Sequence, residues 1–403
     1  MTTRRPATQT DVAILGTGMT DMSRRDLSPE TMAYGATHEA LADAGIAPEE
    51  LGLVIFGNAT AGRLNDQACV RGQSWLRKAG LSDVAIINVD NSCAGGSSAL
   101  HLATLVATSS DRPVLALGVE KMWTGNRAET MAGIEDGLPA DYRHDLHDLR
   151  HADENPAGSI LMGLNNGWAQ RLIQDRGVTP RQMAAAAVKA FDHAARNPLA
   201  QCQRTTSIEE VLASPQVAGV LTRLMCSSFT DGAAAVVVAG PSISAPSAAP
   251  RIIGSVARSG NGLLDYHERL TQAAEAAWEA WGLGPEDFDL LELHDATAPE
   301  ELYALESLGF FALGEAGPAT ESGRTALDSP GLVVNSSGGL VGRGHPLGAT
   351  GLAQVVELAT QLRSRAGARQ VDGARLGLAV NTGGIVEGDA GFVGVHAVRA
   401  GAS

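Results

Sequence analysis

Short apolar runs separated by polar and turn-forming residues recur along this chain, and one arrangement of them occurs twice. The runs Val12–Gly16 and Arg251–Ser255 are typical of strands, and a helical segment follows each of them. Residues 44–60 then recur as residues 281–297 at a constant offset, with identical Gly, Pro, Glu, Leu, Ala and Thr positions. Each copy ends in an apolar strand. The pattern predicts a duplicated strand–helix–strand unit, and therefore two α/β halves with a sheet each.

Composition predicts the joint between the two halves. The stretch Pro241–Pro250 is rich in Pro, Ser and Ala, so we expect an N-terminal half over residues 1–245 and a C-terminal half over residues 246–403. Residues from about 123 to 183 show no clear period and are expected to form a loop insertion. Acidic and histidine side chains crowd part of this segment, but they lack the spacing of metal ligands. A solvated loop is the preferred interpretation, and no metal site is predicted.

Cys93 stands at the junction of a predicted strand and a predicted helix. Ala85–Asp90 is typical of a short buried strand, residues 91–92 make a turn, and Ala94–Ala103 opens a helix made almost wholly of small residues. At the first turn of a helix, the dipole and the free backbone N–H groups favour the thiolate, which is the reactive form of cysteine. The alternative is a buried structural cysteine. The combination of strand, turn and small-residue helix favours a nucleophile.

Two histidines lie at similar junctions in the second half of the chain. Residues 335–351 contain six glycines around His345, and a helix is predicted to follow over about 352–362. Glycine lets such a loop pass close to a bound ligand. The other histidine, His294, ends an apolar strand before a helix that begins near Pro299. A lone histidine is usually structural, but two of them beside a candidate cysteine suit acyl transfer, as a base for the thiol and a donor for the oxyanion.

Composition also excludes some classes of protein. The chain has 403 residues, enough for two similar domains, and its net charge of −15 argues against nucleic acid or an anionic membrane surface as partner. Four cysteines show no metal-ligand spacing and no dense disulfide pattern, which fits a reducing cytoplasm. The polar N-terminus lacks a signal core, and no apolar run reaches the ~18–20 residues of a membrane span. Three lysines stand against 27 arginines, and we attribute this bias to a GC-rich bacterial genome.

Four longer runs carry specific sequence motifs. They are Leu115–Met122, His193–Pro198, Leu224–Ala235 and Gly344–Gly351. Together with the candidate site residues, these runs resemble the thiolase superfamily, and within it the sterol-carrier-protein-x type, over nearly the whole chain. The resemblance implies an α/β protein with the thiolase fold. In that fold, two duplicated α/β halves form a five-layer αβαβα arrangement, here with a loop insertion.

The resemblance also implies roles for the candidate residues. In that family, the cysteine matching Cys93 carries the acyl group, the histidine matching His345 activates it, and the histidine matching His294 helps to bind the thioester oxygen. A second cysteine moves the α-proton of the second acyl group. At its two usual places this chain has Asn381 and Ala296, neither of which is a general base near neutral pH. We therefore expect acyl-enzyme formation, but slow or absent thiolysis of acetoacetyl-CoA.

Three functions are compatible with these residues. The leading hypothesis is an acyltransferase that takes an acyl group from an acyl-CoA or acyl-carrier-protein thioester and passes it to a carbon, oxygen or nitrogen acceptor. Asn381 would then orient substrate or water, and Cys226 and Tyr303 are candidates for any further proton transfer. A retro-aldol lyase of the lipid-transfer class is an alternative, although such relatives have lost the nucleophilic cysteine. A non-catalytic partner subunit is another, and the retained cysteine and histidines argue against it.

Further expectations concern ligands and partners. Backbone of the glycine-rich segments is expected to bind substrate at Asn335, Gly338, Gly339, Gly383 and Gly384. No permanently bound cofactor is expected, and the small-molecule ligand is the acyl thioester itself. The resemblance implies a homodimer joined through the N-terminal half, and a small OB-fold companion protein, of the kind that several bacterial relatives carry, is a candidate partner. The expected location is the cytoplasm.

Overall fold

The computed structural model describes residues 10–23, 26–81, 83–146 and 154–402, in which strands and helices alternate through both halves of the chain. The strands are β1 (Val12–Met19), β2 (Leu53–Gly57), β3 (Ala85–Val89), β4 (Val114–Glu120), β5 (Gln216–Ala218), β6 (Leu221–Thr222), β7 (Gly232–Ala239), β8 (Arg251–Ser259), β9 (Leu290–Glu292), β10 (Val333–Val334), β11 (Leu376–Val386) and β12 (Asp389–Arg399). The helices are α1 (Pro29–Ala44), α2 (Ala61–Leu64), α3 (Arg71–Leu76), α4 (Gly95–Ala107), α5 (Arg127–Glu135), α6 (Ala140–Asp145), α7 (Ile160–Arg176), α8 (Pro180–Ala195), α9 (Ile208–Ala213), α10 (Tyr266–Trp281), α11 (Ala298–Ser307), α12 (Ala316–Glu321), α13 (Gly339–Arg343) and α14 (Leu347–Leu362).

The sheet repeats one strand order in each half. Its ten strands run β10-β9-β11-β12-β8-β1-β7-β4-β2-β3, so that each half has five strands in the same relative order. β2 lies parallel to β3 and β4, just as β9 lies parallel to β10 and β11. A separate sheet was expected in each half. Instead, the two halves form one continuous sheet, because β1 and β8 pair antiparallel at Val12 and Ile252. This pairing satisfies edge groups that each half would otherwise leave free.

The duplicated sequence segments form the same local structure. Gly45 and Gly282 end α1 and α10 in the left-handed conformation, with φ of 68° and 66°, which favours glycine at both positions. A 3₁₀ turn then leads into β2 in the first copy and into β9 in the second. At the end of the strand, His294 replaces Gly57, where a Cβ atom would lie 2.6 Å from a backbone oxygen of α4. The two copies thus share a scaffold and differ at the candidate site.

The helices divide the fold into five layers. α4 and α14 pack against each other at the centre, and each contacts strands of both sheet halves. α1 covers the outer face of the first half, and α10 covers the outer face of the second. The central layer is tight, because a Cβ atom on Gly118 would lie 2.1 Å from the carbonyl oxygen of Gly348. Small residues therefore let the central helices approach the sheet closely, and they bring the two halves together at the Cys93 end of α4.

The segment expected to be a loop insertion is largely helical where the structure describes it. α5, α6 and α7 lie within residues 123–183, whereas residues 147–153, which carry part of the histidine and acidic cluster, lie outside the described part. The side chains of Asn126 and Ser159 cap α5 and α7 by accepting hydrogen bonds from backbone N–H groups. α7 buries Trp168 against the core. Capping and packing stabilise these helices, whose sequence period is too weak to predict them.

The glycine-rich segment 335–351 is also more helical than predicted. α13 lies within it, and α14 begins at Leu347 instead of residue 352. His345 consequently lies in a short, buried connection between two helices. Among the described residues, no helix has the length and hydropathy needed to cross a membrane.

The strand that leads to Cys93 lies at an edge of the sheet. β3 was expected to be buried, but in the described part of the chain it pairs with β2 alone. Ile87 in its middle is 49% exposed. An apolar edge strand with free backbone groups is a surface on which another strand can pair.

Candidate active site

Cys93 lies in the turn between β3 and α4. A 3₁₀ turn over Ser92–Ala94 joins the two elements, and Ser92 adopts a left-handed conformation with φ of 50°. A serine in this conformation is strained and persists only where its surroundings hold it. Gly383 of β11 passes so close behind the turn that a Cβ atom on it would lie 2.1 Å from the carbonyl oxygen of Asn91. The turn thereby fixes the Cys93 thiol at the start of α4.

The structure brings Cys93 together with both candidate histidines. The Cys93 Sγ and one ring nitrogen each of His294 and His345 all lie within 4.8 Å of one another. The two imidazole rings meet edge to face, with centroids 5.1 Å apart and an interplanar angle of 84°. The three atoms are also near enough to share a metal ion, and the absence of a metal site stays a prediction.

A hydrogen-bond chain fixes which nitrogen of His345 carries the proton. Thr350 Oγ1 lies 2.7 Å from His345 Nδ1 and donates its own proton to the carbonyl oxygen of Pro346 over 2.9 Å. Because the hydroxyl has a single proton, Nδ1 of His345 must be the donor in the first contact. The Nε2 lone pair of His345 is then free to accept a proton, as a base for Cys93 requires.

Asn381 fixes the proton of His294 on the other ring nitrogen from that of His345. The amide nitrogen Nδ2 of Asn381 lies 2.9 Å from His294 Nδ1 and donates to it, so the ring proton is on Nε2. His294 can therefore donate a hydrogen bond from Nε2, as an oxyanion donor does. Asn381 thus contacts His294 through Nδ2, and its expected role in orienting substrate or water stays a prediction.

Burial makes the neutral forms of all three groups the stable ones. It lowers the pKa of His294 to about 3 and lowers the pKa of His345 well below its usual value, to which the charge of Arg343 also contributes. Burial raises the pKa of the Cys93 thiol to about 12, and the carboxylates of Glu300 and Glu120 add to this rise. The expected resting thiolate is therefore not favoured, because desolvation outweighs the helix dipole. Cys93 must lose its proton to a neutral imidazole during its attack.

The three side chains open into a cavity of about 340 Å³ with a mainly apolar lining. Met131 and Ile134 of α5 and Leu161 and Met162 of α7 supply one wall, so the inserted helices shape the space above Cys93. An apolar cavity beside a half-buried nucleophile accommodates a carbon chain.

A buried carboxylate that the sequence did not indicate holds the His345 connection in place. Glu120 ends β4, and its Oε2 accepts hydrogen bonds from the backbone N–H groups of Ala59 and Gly348 over 3.0 and 2.9 Å. Its Oε1 accepts two more from side chains that follow β2. Gly348 lies three residues after His345, so this carboxylate positions the base. Its partners lie 61 and 228 residues away, and no local pattern relates them.

Three of the five residues expected to bind substrate lie behind the site, namely Asn335, Gly338 and Gly339. Asn335 Oδ1 accepts a hydrogen bond from the backbone N–H of Leu293 over 2.7 Å and so fixes the end of β9. Gly338 has a φ of 100°, and a Cβ atom on it would lie 2.6 Å from an alanine side chain of α8. These residues shape the loop, and their positions do not face the cavity. The other two, Gly383 and Gly384, line the cavity.

The two alternative proton carriers are placed differently. Cys226 lines the cavity, and its thiol donates to the carbonyl oxygen of Thr222 over 3.4 Å. Tyr303 lies outside this cavity, where its ring stacks on His267 with centroids 3.3 Å apart and Arg176 covers its face. Tyr303 is therefore removed from the chemistry at Cys93.

Family models match both halves of the chain. The family described as "Thiolase, N-terminal domain" matches residues 12–242, and "Thiolase C-terminal domain-like" matches residues 263–393. An acetyl-CoA acetyltransferase of Methanothermobacter thermautotrophicus is 34% identical over 93% of this chain and 96% of that protein. Sterol carrier protein 2 of Homo sapiens is 32% identical over 94% of this chain and 71% of that protein. The benzoylsuccinyl-CoA thiolase subunit BbsB of Thauera aromatica is 32% identical over 90% and 91%.

Solved structures share the fold at lower identity. An Ltp2-ChsH2(DUF35) aldolase superposes with a TM-score of 0.79 at 21% identity, covering 98% of this chain and 99% of that chain. Human mitochondrial 3-ketoacyl-CoA thiolase in complex with CoA superposes with a TM-score of 0.73 at 17% identity, covering 99% and 100%. The extent of the family and sequence matches leads to one conclusion: the chain belongs to the thiolase family of acyltransferases.

Proposed function

We propose that this chain forms an acyl-enzyme at Cys93 from an acyl thioester and passes the acyl group to an acceptor. The observation that carries the proposal is the convergence of the Cys93 thiol with His294 and His345 within 4.8 Å, at one end of an apolar cavity. The hydrogen bonds of Thr350 and Asn381 give the two histidines different proton positions. One histidine accepts a proton and the other donates a hydrogen bond, as the two roles require.

The first half-reaction uses each group once. Cys93 Sγ attacks the thioester carbonyl carbon while its proton passes to Nε2 of His345. The carbonyl oxygen gains negative charge and accepts a hydrogen bond from Nε2–H of His294. The carbon–sulfur bond of the donor breaks, and the leaving thiolate takes the proton from His345. The acyl group is then on Cys93, and His345 is again neutral.

The donor is an acyl-CoA or an acyl-carrier-protein thioester, and the acceptor is a carbon, oxygen or nitrogen nucleophile. Acyl-CoA is supported by the names of the relatives, which include acetyl-CoA and benzoylsuccinyl-CoA enzymes. The protein needs no permanently bound cofactor for this chemistry. Retro-aldol cleavage is less favoured, since it makes no use of a thiol, and the likeness to the aldolase is one of fold.

The test is the mass of the intact protein after incubation with a panel of acyl-CoA thioesters. A mass increase equal to one acyl group is expected, and its loss on addition of a competent acceptor would complete the cycle. Cys93→Ser should show no increase, because the hydroxyl is a far weaker nucleophile. Wild-type protein that stays unmodified by every thioester, or a Cys93→Ser variant that is still acylated, would contradict the proposal.

Assembly as a homodimer is part of the proposal. β3, which precedes Cys93, offers an open apolar edge, and α4 exposes Leu102 and Leu105 on the same half of the molecule. Pairing of two β3 strands would cover this edge and support the turn that holds Cys93. A small OB-fold companion protein is also proposed, and the name Ltp2-ChsH2(DUF35) of the aldolase neighbour is consistent with a companion of this kind. The four cysteines are free, which fits a reducing cytoplasmic location.

A further inference from the structure

Among the described residues that line the cavity, a single carboxyl group is present, and it belongs to Glu300. Glu300 lies in the first turn of α11 and is 5% exposed. Its Oε1 accepts a hydrogen bond from the hydroxyl of Tyr266 over 2.7 Å. Its Oε2 is fully buried and has no hydrogen-bond partner of normal geometry in the described residues. The backbone N–H groups of Ala296 and Thr297 lie near enough to the carboxyl group to lower its pKa.

An unsatisfied buried carboxyl oxygen costs free energy, typically about 1–3 kcal/mol or more for a charged group. Such a group in a native structure calls for an explanation, and one explanation is a reactant that it meets. The rest of the surroundings hold Glu300 in place, because Tyr266 is itself fixed by a contact with Thr382 of β11. Glu300 therefore lines the cavity on a support that holds its side chain in place.

The electrostatic surroundings of Glu300 suit proton transfer. Burial raises its pKa to about 7, because desolvation outweighs the hydrogen bond from Tyr266. The charge of Glu300 also raises the pKa of the Cys93 thiol. A carboxyl group with this pKa can take a proton and return it near neutral pH.

The other titratable and charged groups around the cavity are less suited to this task. Besides Tyr266 they are Cys93, Cys226, His294, His345, Arg127 and Arg223. Both histidines have their roles at Cys93, and arginine does not act as a base at neutral pH. Burial raises the pKa of Cys226 to about 12 and that of Tyr266 well above its usual value, so both keep their protons.

We propose that Glu300 is the base that removes the α-proton of the acceptor, and that the acceptor is the α-carbon of a second acyl thioester. The proposal rests on the proposed acyl-enzyme at Cys93, and it supplies the proton transfer for which Ala296 and Asn381 have no titratable group. It also replaces the expectation of slow or absent thiolysis of acetoacetyl-CoA, because a base that serves condensation serves the reverse reaction as well.

The step balances as follows. The Glu300 carboxylate takes one α-proton from the second acyl thioester, and the resulting enolate carbon attacks the acyl carbonyl on Cys93. A carbon–carbon bond forms, and the bond between the acyl carbon and Cys93 Sγ breaks. The thiolate that leaves receives the proton held by the Glu300 carboxyl group. Both residues return to their starting forms, and the product is a 3-oxoacyl thioester.

The test separates proton abstraction from acyl transfer. Full-length protein is incubated with acetyl-CoA in D₂O, and deuterium in the acetyl group is followed by mass spectrometry. Wild-type protein should exchange the α-protons, and Glu300→Gln should slow the exchange at least about 100-fold, because a general base typically contributes 10²–10⁴-fold. The glutamine keeps an oxygen for Tyr266, so acetylation of Cys93 should stay within about threefold of the wild-type rate.

Glu306→Gln is the matched control. Glu306 is a buried carboxylate of the same helix, but both of its oxygens are bonded, one to Arg176 over 2.7 Å and the other to backbone N–H groups. It does not line the cavity of Cys93. This variant should be less stable than wild type, yet its ratio of exchange rate to acetylation rate should be unchanged.

Tyr266→Phe gives an independent measurement. The Tyr266 hydrogen bond lowers the pKa of Glu300, so its removal should move the midpoint of the exchange rate to higher pH. An unshifted midpoint would contradict the proposal. The proposal for Glu300 would be overturned if Glu300→Gln exchanged the α-protons as fast as wild type. It would also be overturned if wild-type protein became acetylated at Cys93 but showed no exchange. If wild-type protein is never acylated at Cys93, the proposed acyl-enzyme itself is overturned, whether or not the protein exchanges the α-protons.

Discussion

Replacement of Thr350 by valine tests whether the proton position on His345 controls the nucleophile. Valine keeps the shape of threonine but has no hydroxyl. In wild type, the Thr350 hydroxyl oxygen accepts a hydrogen bond from Nδ1–H of His345 over 2.7 Å, and the variant loses this acceptor. His345 and Thr350 are both buried, so bulk water does not restore the lost hydrogen bond without a cost in free energy. The ring is then no longer held with its Nε2 lone pair available to Cys93.

The expected size of the effect follows from the lost hydrogen bond. A buried donor left without an acceptor costs about 1–3 kcal/mol, and 1.36 kcal/mol corresponds to a factor of ten in rate. Acylation of Cys93 in Thr350→Val should therefore be about 5- to 150-fold slower than in wild type. Thr350→Ser, which keeps the hydroxyl, should recover most of the rate.

α14 itself offers a matched control for this change. Thr360 donates from its hydroxyl to the carbonyl oxygen four residues earlier, over 2.7 Å, in the same way as Thr350 does to Pro346 over 2.9 Å. Thr360 is not among the residues that line the cavity, so Thr360→Val should leave acylation unchanged. The assay is single-turnover acylation followed by rapid quench and intact-protein mass. Equal rates for Thr350→Val and wild type would refute the assignment of the Nδ1 proton.

Three further predictions concern the donor, the thiol and the assembly. His294→Ala should slow acylation of Cys93 by about 10²–10³-fold while alkylation by iodoacetamide is retained, since only the oxyanion donor is lost; equal loss in both assays would contradict separate roles. Because burial raises the pKa of Cys93 to about 12, the alkylation rate should keep rising up to pH 10 as the thiolate fraction grows, and a plateau below pH 9 would contradict this. Light scattering should give a dimer for wild type and a monomer for Ile87→Lys, which puts a charge on the open edge of β3, and a stable, active wild-type monomer would contradict the proposed assembly.

The elements that carry the candidate site could be predicted because their signals are local. Cys93 follows a strand and a turn, and His294 ends an apolar strand, so the local pattern alone predicts that each side chain lies at a strand end. The duplicated sequence segments predict the same strand and helix order in both halves, including the glycines that end α1 and α10. The thiolase fold expected from the resemblance is confirmed by the family and structural matches.

The remaining features depend on contacts between distant parts of the chain. The pKa of Cys93 is set by burial and by carboxylates of other elements, so a helix N-terminus alone indicated the wrong protonation state. Glu300 meets Tyr266 across 34 residues, and Glu120 meets Gly348 across 228 residues. The helical structure of α5 and α7 was not predicted, because these helices owe their stability to packing rather than to a strong sequence period.

The most direct test of the central claim is the position of the acyl group. Protein incubated with a reactive acyl-CoA is digested and analysed by tandem mass spectrometry, with hydroxylamine treatment to distinguish a thioester from an amide. The account predicts a hydroxylamine-sensitive acyl group on Cys93 in wild type and none at this position or elsewhere in Cys93→Ser. An acyl group on Cys226 or Cys202, or one that persists in Cys93→Ser, would contradict it.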